Sequence, residues 1–109
     1  MAWTSKHRYA RISPRKARLV TELIQGRHVN DALDTLRFTH KRASIMVEKV
    51  LRAAMADAGE KEADVNALFV VEARVDEGPT IKRFQPKDRG RAHPIMKRTS
   101  HIVVTVDEG

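Results

Sequence analysis

The sequence of 109 residues contains no cysteine, only five aromatic residues and no long apolar run. Without cysteine the chain can form neither a disulfide nor a thiolate metal site, which favours a reducing compartment. The core must be mainly aliphatic and alanine-rich. No segment has the apolar length of a membrane span, and the first residues lack the apolar core of a signal peptide. We therefore expect one soluble cytoplasmic domain.

Acidic residues are almost missing from two segments that are rich in Lys and Arg. Residues 1–18 contain six Lys and Arg and no acid, and residues 81–101 contain seven with the single acid Asp88. Together these segments carry a net charge of +12, whereas the rest of the chain carries −5. Because solvated surfaces usually mix the two signs, this segregation indicates a polyanionic partner.

Three helices are predicted in the first half of the chain. In ISPRKARLVTELIQG, Ser13 is the expected cap, Pro14 the first helical residue and Gly26 the stop. A second helix is predicted over about 30–37, and a third from a Thr39 cap to Gly59. The positions expected to be buried are Ala17, Val20, Leu23 and Ile24 in the first helix, Ala32, Leu33 and Leu36 in the second, and Ala43, Met46, Val47, Val50, Leu51, Ala54, Met55 and Ala58 in the third. Arg15, Lys16 and Arg18 fall mostly off the first stripe and are expected to be free for a partner.

Strand patterns lie at the two ends of the chain. Strands are predicted over about 67–76 and 99–106, with a short early strand over about 8–12. The apolar positions expected to share a face are Phe69, Val71, Ala73 and Val75 in one late strand and Ile102, Val104 and Val106 in the other. The order β-α-α-α-β-β predicts an α+β fold, in which a small antiparallel three-stranded sheet packs against three helices.

The joint between the last two strands exceeds twenty residues and is strongly basic. Disorder is one interpretation, but the apolar residues and three prolines in the joint favour order. We expect a β-hairpin arm over about 79–98 that turns near Arg89, Gly90 and Arg91 and extends roughly 30 Å. The globular part would be 1–78 and 99–109. Since such an arm has no core, its charges indicate surrounding phosphates; Phe84 could stack on a base or support the arm, and the sequence leaves both open.

Several motifs along the chain resemble one family. ISPRKARLV, VDEGPTIKRF, RGRA and KRTSHIVV occur in this order, with ten positions from Arg91 to His101. From about residue 9 to 106 they resemble the bacterial ribosomal large-subunit protein L twenty-two family. The resemblance implies a protein on 23S rRNA near the tunnel exit, whose arm tip helps to form the wall of the nascent-peptide tunnel. It also implies neighbouring large-subunit proteins and the nascent peptide as partners, and roles in subunit assembly and macrolide sensitivity.

The candidate RNA-binding residues come from the basic first segment, the arm and the return strand. They are Arg8, Arg11, Ser13, Arg15, Lys16, Arg18, Lys82, Arg83, Lys87, Arg89, Arg91, Lys97, Arg98, Thr99, Ser100 and His101. Within this set and its neighbours, the resemblance implies that Arg89, Gly90 and Arg91 form the tunnel tip. Asp88 stands where the family usually has a small residue, and it is not a predicted contact. Residues 56–61 lack the Asn and His common in the family, so RNA contact there stays open.

Two other classes of protein fit the sequence less well. The five histidines have no metal-ligand spacing and no glycine-rich phosphate loop precedes a helix, so we expect no enzyme, no metal and no cofactor. Architectural DNA-binding proteins also use basic β-arms, but usually as obligate dimers. This sequence shows no apolar face beyond what its own sheet can cover, so we expect no obligate homo-oligomer. The mass of the RNA-free protein in solution distinguishes the two classes, because a tight dimer would favour the DNA-binding protein. His101 is expected to contact RNA or to pack. For Trp3, packing of the N-terminal segment is favoured over base stacking, but the sequence does not decide between them.

Overall fold

The fold is that of a computed structural model, which describes the backbone of residues 2–87 and 91–108 and the side chains of residues 2–80 and 97–108. The elements in chain order are β1 (Ala2–Ala10), α1 (Pro14–Ile24), α2 (Val29–Phe38), α3 (Arg42–Glu60), a 3-10 turn (Val65–Ala67), β2 (Phe69–Lys87) and β3 (Arg91–Asp107). This order confirms the predicted α+β class. Among the described residues, no helix is long and apolar enough to cross a membrane.

The sheet places β3 in the centre, with β1 and β2 antiparallel on either side of it. Helix α1 packs mainly on β2, and α3 packs on β1 and β3. The core lies between the helices and the sheet and includes the fully buried Ile24, Leu51, Leu68 and Ile102. Trp3 is also buried in this core, so its indole ring packs within the fold, the role that the sequence favours without deciding it.

Helix α1 begins as the sequence predicts, but its buried stripe differs at one position. The Ser13 hydroxyl accepts a hydrogen bond from the Lys16 amide over 3.4 Å, and Gly26 follows the helix with a φ of +81°. Leu23 was expected to be buried but is 39 % exposed, and Thr21 is buried instead. Helical geometry explains this correction, because Thr21 lies four residues after Ala17 on the same face, whereas Leu23 is rotated away from it.

Helix α3 begins later than predicted. Thr39 does not cap it; this residue is the C-cap of α2, where its hydroxyl donates to the Thr35 carbonyl over 2.7 Å. Lys41 precedes the first helical residue, Arg42, and the helix continues one residue past Gly59. The predicted stripes of α2 and α3 are confirmed, with Met46 and Met55 partly buried against the core.

The first part of β2 has the opposite phase from the one predicted. Phe69 and Val71 were expected on the buried face, but they are 40 % and 47 % exposed, and Val70 is fully buried. The ladder between β2 and β3 shifts register between Val70 and Glu72, as a β-bulge does. One extra residue therefore separates Val70 from Ala73, which returns to the core as predicted. Strand β1 also differs from its prediction, because it spans Ala2–Ala10 rather than 8–12.

The predicted hairpin arm is present as a continuous backbone ladder. Beyond a register shift between Glu77 and Thr80, β2 and β3 pair from Thr80↔Arg98 to Lys87↔Arg91. The predicted turn and tunnel tip comprise Arg89, Gly90 and Arg91; of these, Arg89 and Gly90 lie outside the described residues, as does the side chain of Phe84.

Candidate nucleic-acid interface

A groove of about 820 Å³ lies where the start of α1, the start of α3 and the base of the arm on β3 meet. Six cationic residues line it: Arg11, Lys16, Lys41, Arg42, Lys97 and Arg98. Among the described residues, no acid lines it. We call this surface the basic groove. Segments far apart in sequence thus form one continuous cationic surface.

Two helix starts add to the positive potential of the basic groove. Ser13 and Lys16, at the beginning of α1, both line it, as do Lys41 and Arg42 at the beginning of α3. Neither helix has an acidic residue in its first turn. Unpaired amide groups give a helix start a partial positive charge, so both helix starts favour an anion in the groove.

Two hydroxyl groups of β3 form hydrogen bonds near the groove, one to the chain before α1 and one to β2. The Ser100 hydroxyl, which is fully buried, donates to the Ile12 carbonyl over 2.6 Å. One residue earlier, the Thr99 hydroxyl donates to the Pro79 carbonyl over 2.7 Å. Both side chains were candidates for RNA contact. The burial of Ser100 leaves its side chain no surface for a ligand, so its role here is to fix the backbone beneath the groove.

The three cations predicted on the outer side of α1 differ in their freedom. Arg18 donates from Nη2 to the Val75 carbonyl over 3.0 Å and so ties α1 to β2. One guanidinium nitrogen of Arg18 is therefore engaged within the fold, while the side chain is exposed, and RNA contact by Arg18 stays a prediction. Arg15 and Lys16 are exposed, and their side chains have no hydrogen bond or ion pair within the described part of the chain.

His101 lies beside β1 rather than in the basic groove. Its Nδ1 accepts a hydrogen bond from the Tyr9 amide over 3.1 Å, and the two rings meet edge to face with centroids 4.9 Å apart. Tyr9 has a φ of +58°, within the irregular end of the β1–β3 ladder. His101 thus supports an unusual backbone turn, the packing role that the sequence left open.

The remaining candidates fall into two groups. Arg8 and Arg15 are exposed but do not line the basic groove. The second group consists of the arm candidates. The structure describes only the backbone of Lys82, Arg83, Lys87 and Arg91, and Arg89 and Gly90 lie outside the described residues. The structure therefore brings together Arg11, Ser13, Lys16, Lys97, Arg98 and Thr99.

Sequence reasoning missed Lys41 and Arg42. Counting charge over long segments placed them in the acidic remainder of the chain, whose net charge is −5. The local signal was available, since two adjacent cations stand at the start of a helix with no acid in its first turn. Within the described residues, no group of His, Cys, Asp or Glu could hold a metal ion.

Comparison with known proteins points to the family suggested by the motifs. Residues 5–107 match the family model described as ribosomal protein L22p/L17e. Two relatives, both called large ribosomal subunit protein uL22, come from Lactobacillus delbrueckii subsp. bulgaricus strains ATCC BAA-365 and ATCC 11842. Each is 57 % identical over 103 residues, which cover 93 % of this chain and 87 % of the relative.

Proposed function

The chain belongs to the ribosomal protein L22p/L17e family, and from this premise we propose that it docks on 23S rRNA through its basic groove and places its arm along the nascent-peptide tunnel. As a ribosomal protein of the large subunit it belongs to the cytoplasmic ribosome, where its role is structural rather than enzymatic. The docking surface, the tunnel position and a part in subunit assembly are the proposal.

The basic groove is the observation that supports docking on rRNA. Its six cations come from three segments that the fold brings together, and each can neutralise a phosphate and release counterions. The arginines also present planar forks that match phosphate oxygens. A surface held by the core in this way can bind one RNA shape rather than polyanions in general, because the spacing of its charges is fixed.

The base of the arm lies in the same surface, so docking would also aim the arm. Lys97 and Arg98 line the basic groove, and the ladder continues from Arg98 to the pair Lys87↔Arg91. The molecule measures 61 × 25 × 17 Å, much longer in one direction than a compact domain of its size. We propose one domain, with a globular part of 1–78 and 99–109 and an arm of 79–98 that enters the RNA, with residues 89–91 at the tunnel wall beside the nascent peptide.

Incorporation into large subunits tests this assignment of roles. Lys16→Glu/Lys97→Glu reverses two exposed charges of the basic groove without touching the core. We expect this variant to keep its circular dichroism spectrum but to appear in purified subunits at a small fraction of the wild-type level. Arg18 is left unchanged because its bond to Val75 would confuse a binding defect with a folding defect.

Deletion of residues 89–91 is the complementary variant. It leaves the basic groove intact, so we expect normal incorporation together with an altered response to macrolides or stalling peptides. A tip deletion that abolishes incorporation, combined with normal assembly of the charge-reversed variant, would reverse the proposed roles.

Because no second copy is needed for the groove, the RNA-free protein should have the mass of a monomer in solution.

A further inference from the structure

Phe38, the last residue of α2, has its ring almost entirely in solvent. Its side chain is 82 % exposed, whereas Ala32, Leu33 and Leu36 of the same helix are buried in the core. Phe38 is thus the most exposed large apolar side chain in the described part of the chain. The fold does not use this ring, so packing within the chain does not explain an aromatic residue here.

The surroundings of Phe38 are cationic. A second groove of about 470 Å³ lies at the α2–α3 corner and is lined by Arg37 and Thr39, the residues on either side of Phe38, and by His40, Lys41 and Arg42. Leu36, Ser44, the exposed Ile45 and the acid Glu48 also line it. The Glu48 carboxylate pairs with Arg52 over 3.0 Å and lies 3.9 Å from Arg37 Nε. An exposed aromatic ring among cations favours a nucleic-acid strand over an apolar protein surface.

The corner groove continues directly into the basic groove. Lys41 and Arg42 line both of them. A phosphate chain that lies in the basic groove can therefore pass these two residues and reach the α2–α3 corner, where Glu48 is the acid among the lining residues.

The first turn of α3 between the two grooves has unmet polar groups. No side chain caps it, and it contains no acid. Ser44 lines the corner groove, and its buried hydroxyl has no hydrogen-bond partner within the described residues. Together with Lys41 and Arg42, this turn can take a phosphate group.

We propose that the α2–α3 corner binds an unpaired stretch of rRNA, with one base stacked on Phe38 and the adjoining phosphate held by Lys41 and Arg42. This proposal rests on the rRNA-binding function proposed above and specifies the kind of RNA that one part of the surface takes. Stacking suits a single-stranded segment because only an unpaired base presents its face to an aromatic side chain.

Binding of full-length 23S rRNA by the full-length Phe38→Leu variant, measured over a series of salt concentrations, tests the stacking. Leucine keeps an apolar side chain but has no aromatic face, so affinity should fall roughly 5- to 150-fold, the range for one base–aromatic stack. The slope of log K against log salt should stay unchanged, because no charge is removed. Phe38→Trp is the matched control and should bind at least as tightly as wild type.

Photo-crosslinking in assembled large subunits identifies the occupant. With p-benzoylphenylalanine at position 38 we expect an adduct to rRNA; an adduct to a neighbouring protein would overturn the proposal. Unchanged affinity of Phe38→Leu would also overturn it. The Lys16→Gln/Lys97→Gln variant separates the two proposals. If it shows a reduced salt slope while Phe38→Leu binds normally, the basic groove binds RNA and the stacking is wrong, whereas no effect of either variant contradicts both.

Discussion

At the scale of single residues, the junction between the globular part and the arm depends on a close contact between Gly78 and Thr99. A Cβ atom on Gly78 would overlap the Thr99 hydroxyl and lie 3.2 Å from the Thr99 carbonyl carbon and oxygen. The same hydroxyl donates to the Pro79 carbonyl, so it cannot move away without losing that bond. The absence of a side chain at position 78 lets β2 and β3 stay paired on both sides of the register shift.

We predict that Gly78→Ala lowers the free energy of unfolding by about 1–3 kcal/mol, because overpacking forces backbone shifts. Gly59→Ala is the control. Gly59 lies in α3, and a Cβ atom there would meet only Val65 Cγ2 at an ordinary distance of 3.5 Å. It should raise stability by roughly 0.5–1 kcal/mol, the advantage of Ala over Gly in a helix. Urea unfolding of both variants measures this. Equal stability of the two would show that the contact at Gly78 is not tight.

A second residue-scale prediction concerns Ser100. Ser100→Ala should cost about 1–3 kcal/mol of unfolding free energy, because the buried Ile12 carbonyl loses its donor. Thr4→Val is the control, since it removes a hydroxyl from the Thr4–Thr105 pair at the surface and should change stability little. Affinity of folded Ser100→Ala for 23S rRNA should match wild type. A loss of affinity without a loss of stability would make Ser100 an RNA contact after all.

At the scale of elements, the bulge at the beginning of β2 decides which face of the strand enters the core. Val70 is fully buried and Val71 is 47 % exposed, although both are valines in one apolar run. We predict that Val70→Thr lowers the free energy of unfolding by about 1–3 kcal/mol, because it buries a hydroxyl without a partner. Val71→Thr should change it by less than about 0.5 kcal/mol, as surface substitutions usually do. Thermal unfolding of both variants shows which of the two valines faces the core. A larger loss of stability for Val71→Thr than for Val70→Thr would place Val71 in the core.

Sequence patterns predicted the elements well wherever the periodicity was long. The buried stripe of α3 extends over four turns, so its residues could be predicted directly from the sequence. In the shorter α1, the prediction placed Leu23 in the core instead of Thr21, because it gave more weight to apolar character than to helical geometry. The β2 bulge could not be predicted, since Phe69, Val70 and Val71 are all apolar and give no alternation. The basic groove could not be predicted either, because Lys41 and Lys97 line the same groove only when α3 packs beside β3.

At the scale of the whole molecule, the fold gathers cations from separate segments of the sequence into one groove. Residues 11–16, 41–42 and 97–98 converge, so cations from three separate segments line one surface. The acids are balanced elsewhere; Arg74, for example, pairs with Glu72 over 3.1 Å and lies 3.6 Å from Asp76 on the outer part of the sheet. The fold therefore forms a groove that no acid lines among the described residues, while acids such as Glu72 and Asp76 pair with a cation elsewhere.

The salt dependence of 23S rRNA binding tests this account most directly. The Lys16→Gln/Lys97→Gln variant is compared with Lys49→Gln/Lys61→Gln, which removes the same charge from exposed positions of and beside α3 that do not line the basic groove. If the groove binds phosphates, its variant should lose about 1.4–1.8 from the slope of log K against log salt, the value for two contacts. The control should keep the wild-type slope. Equal slopes for the two variants would contradict the account, because the affinity would then come from net charge and not from the basic groove.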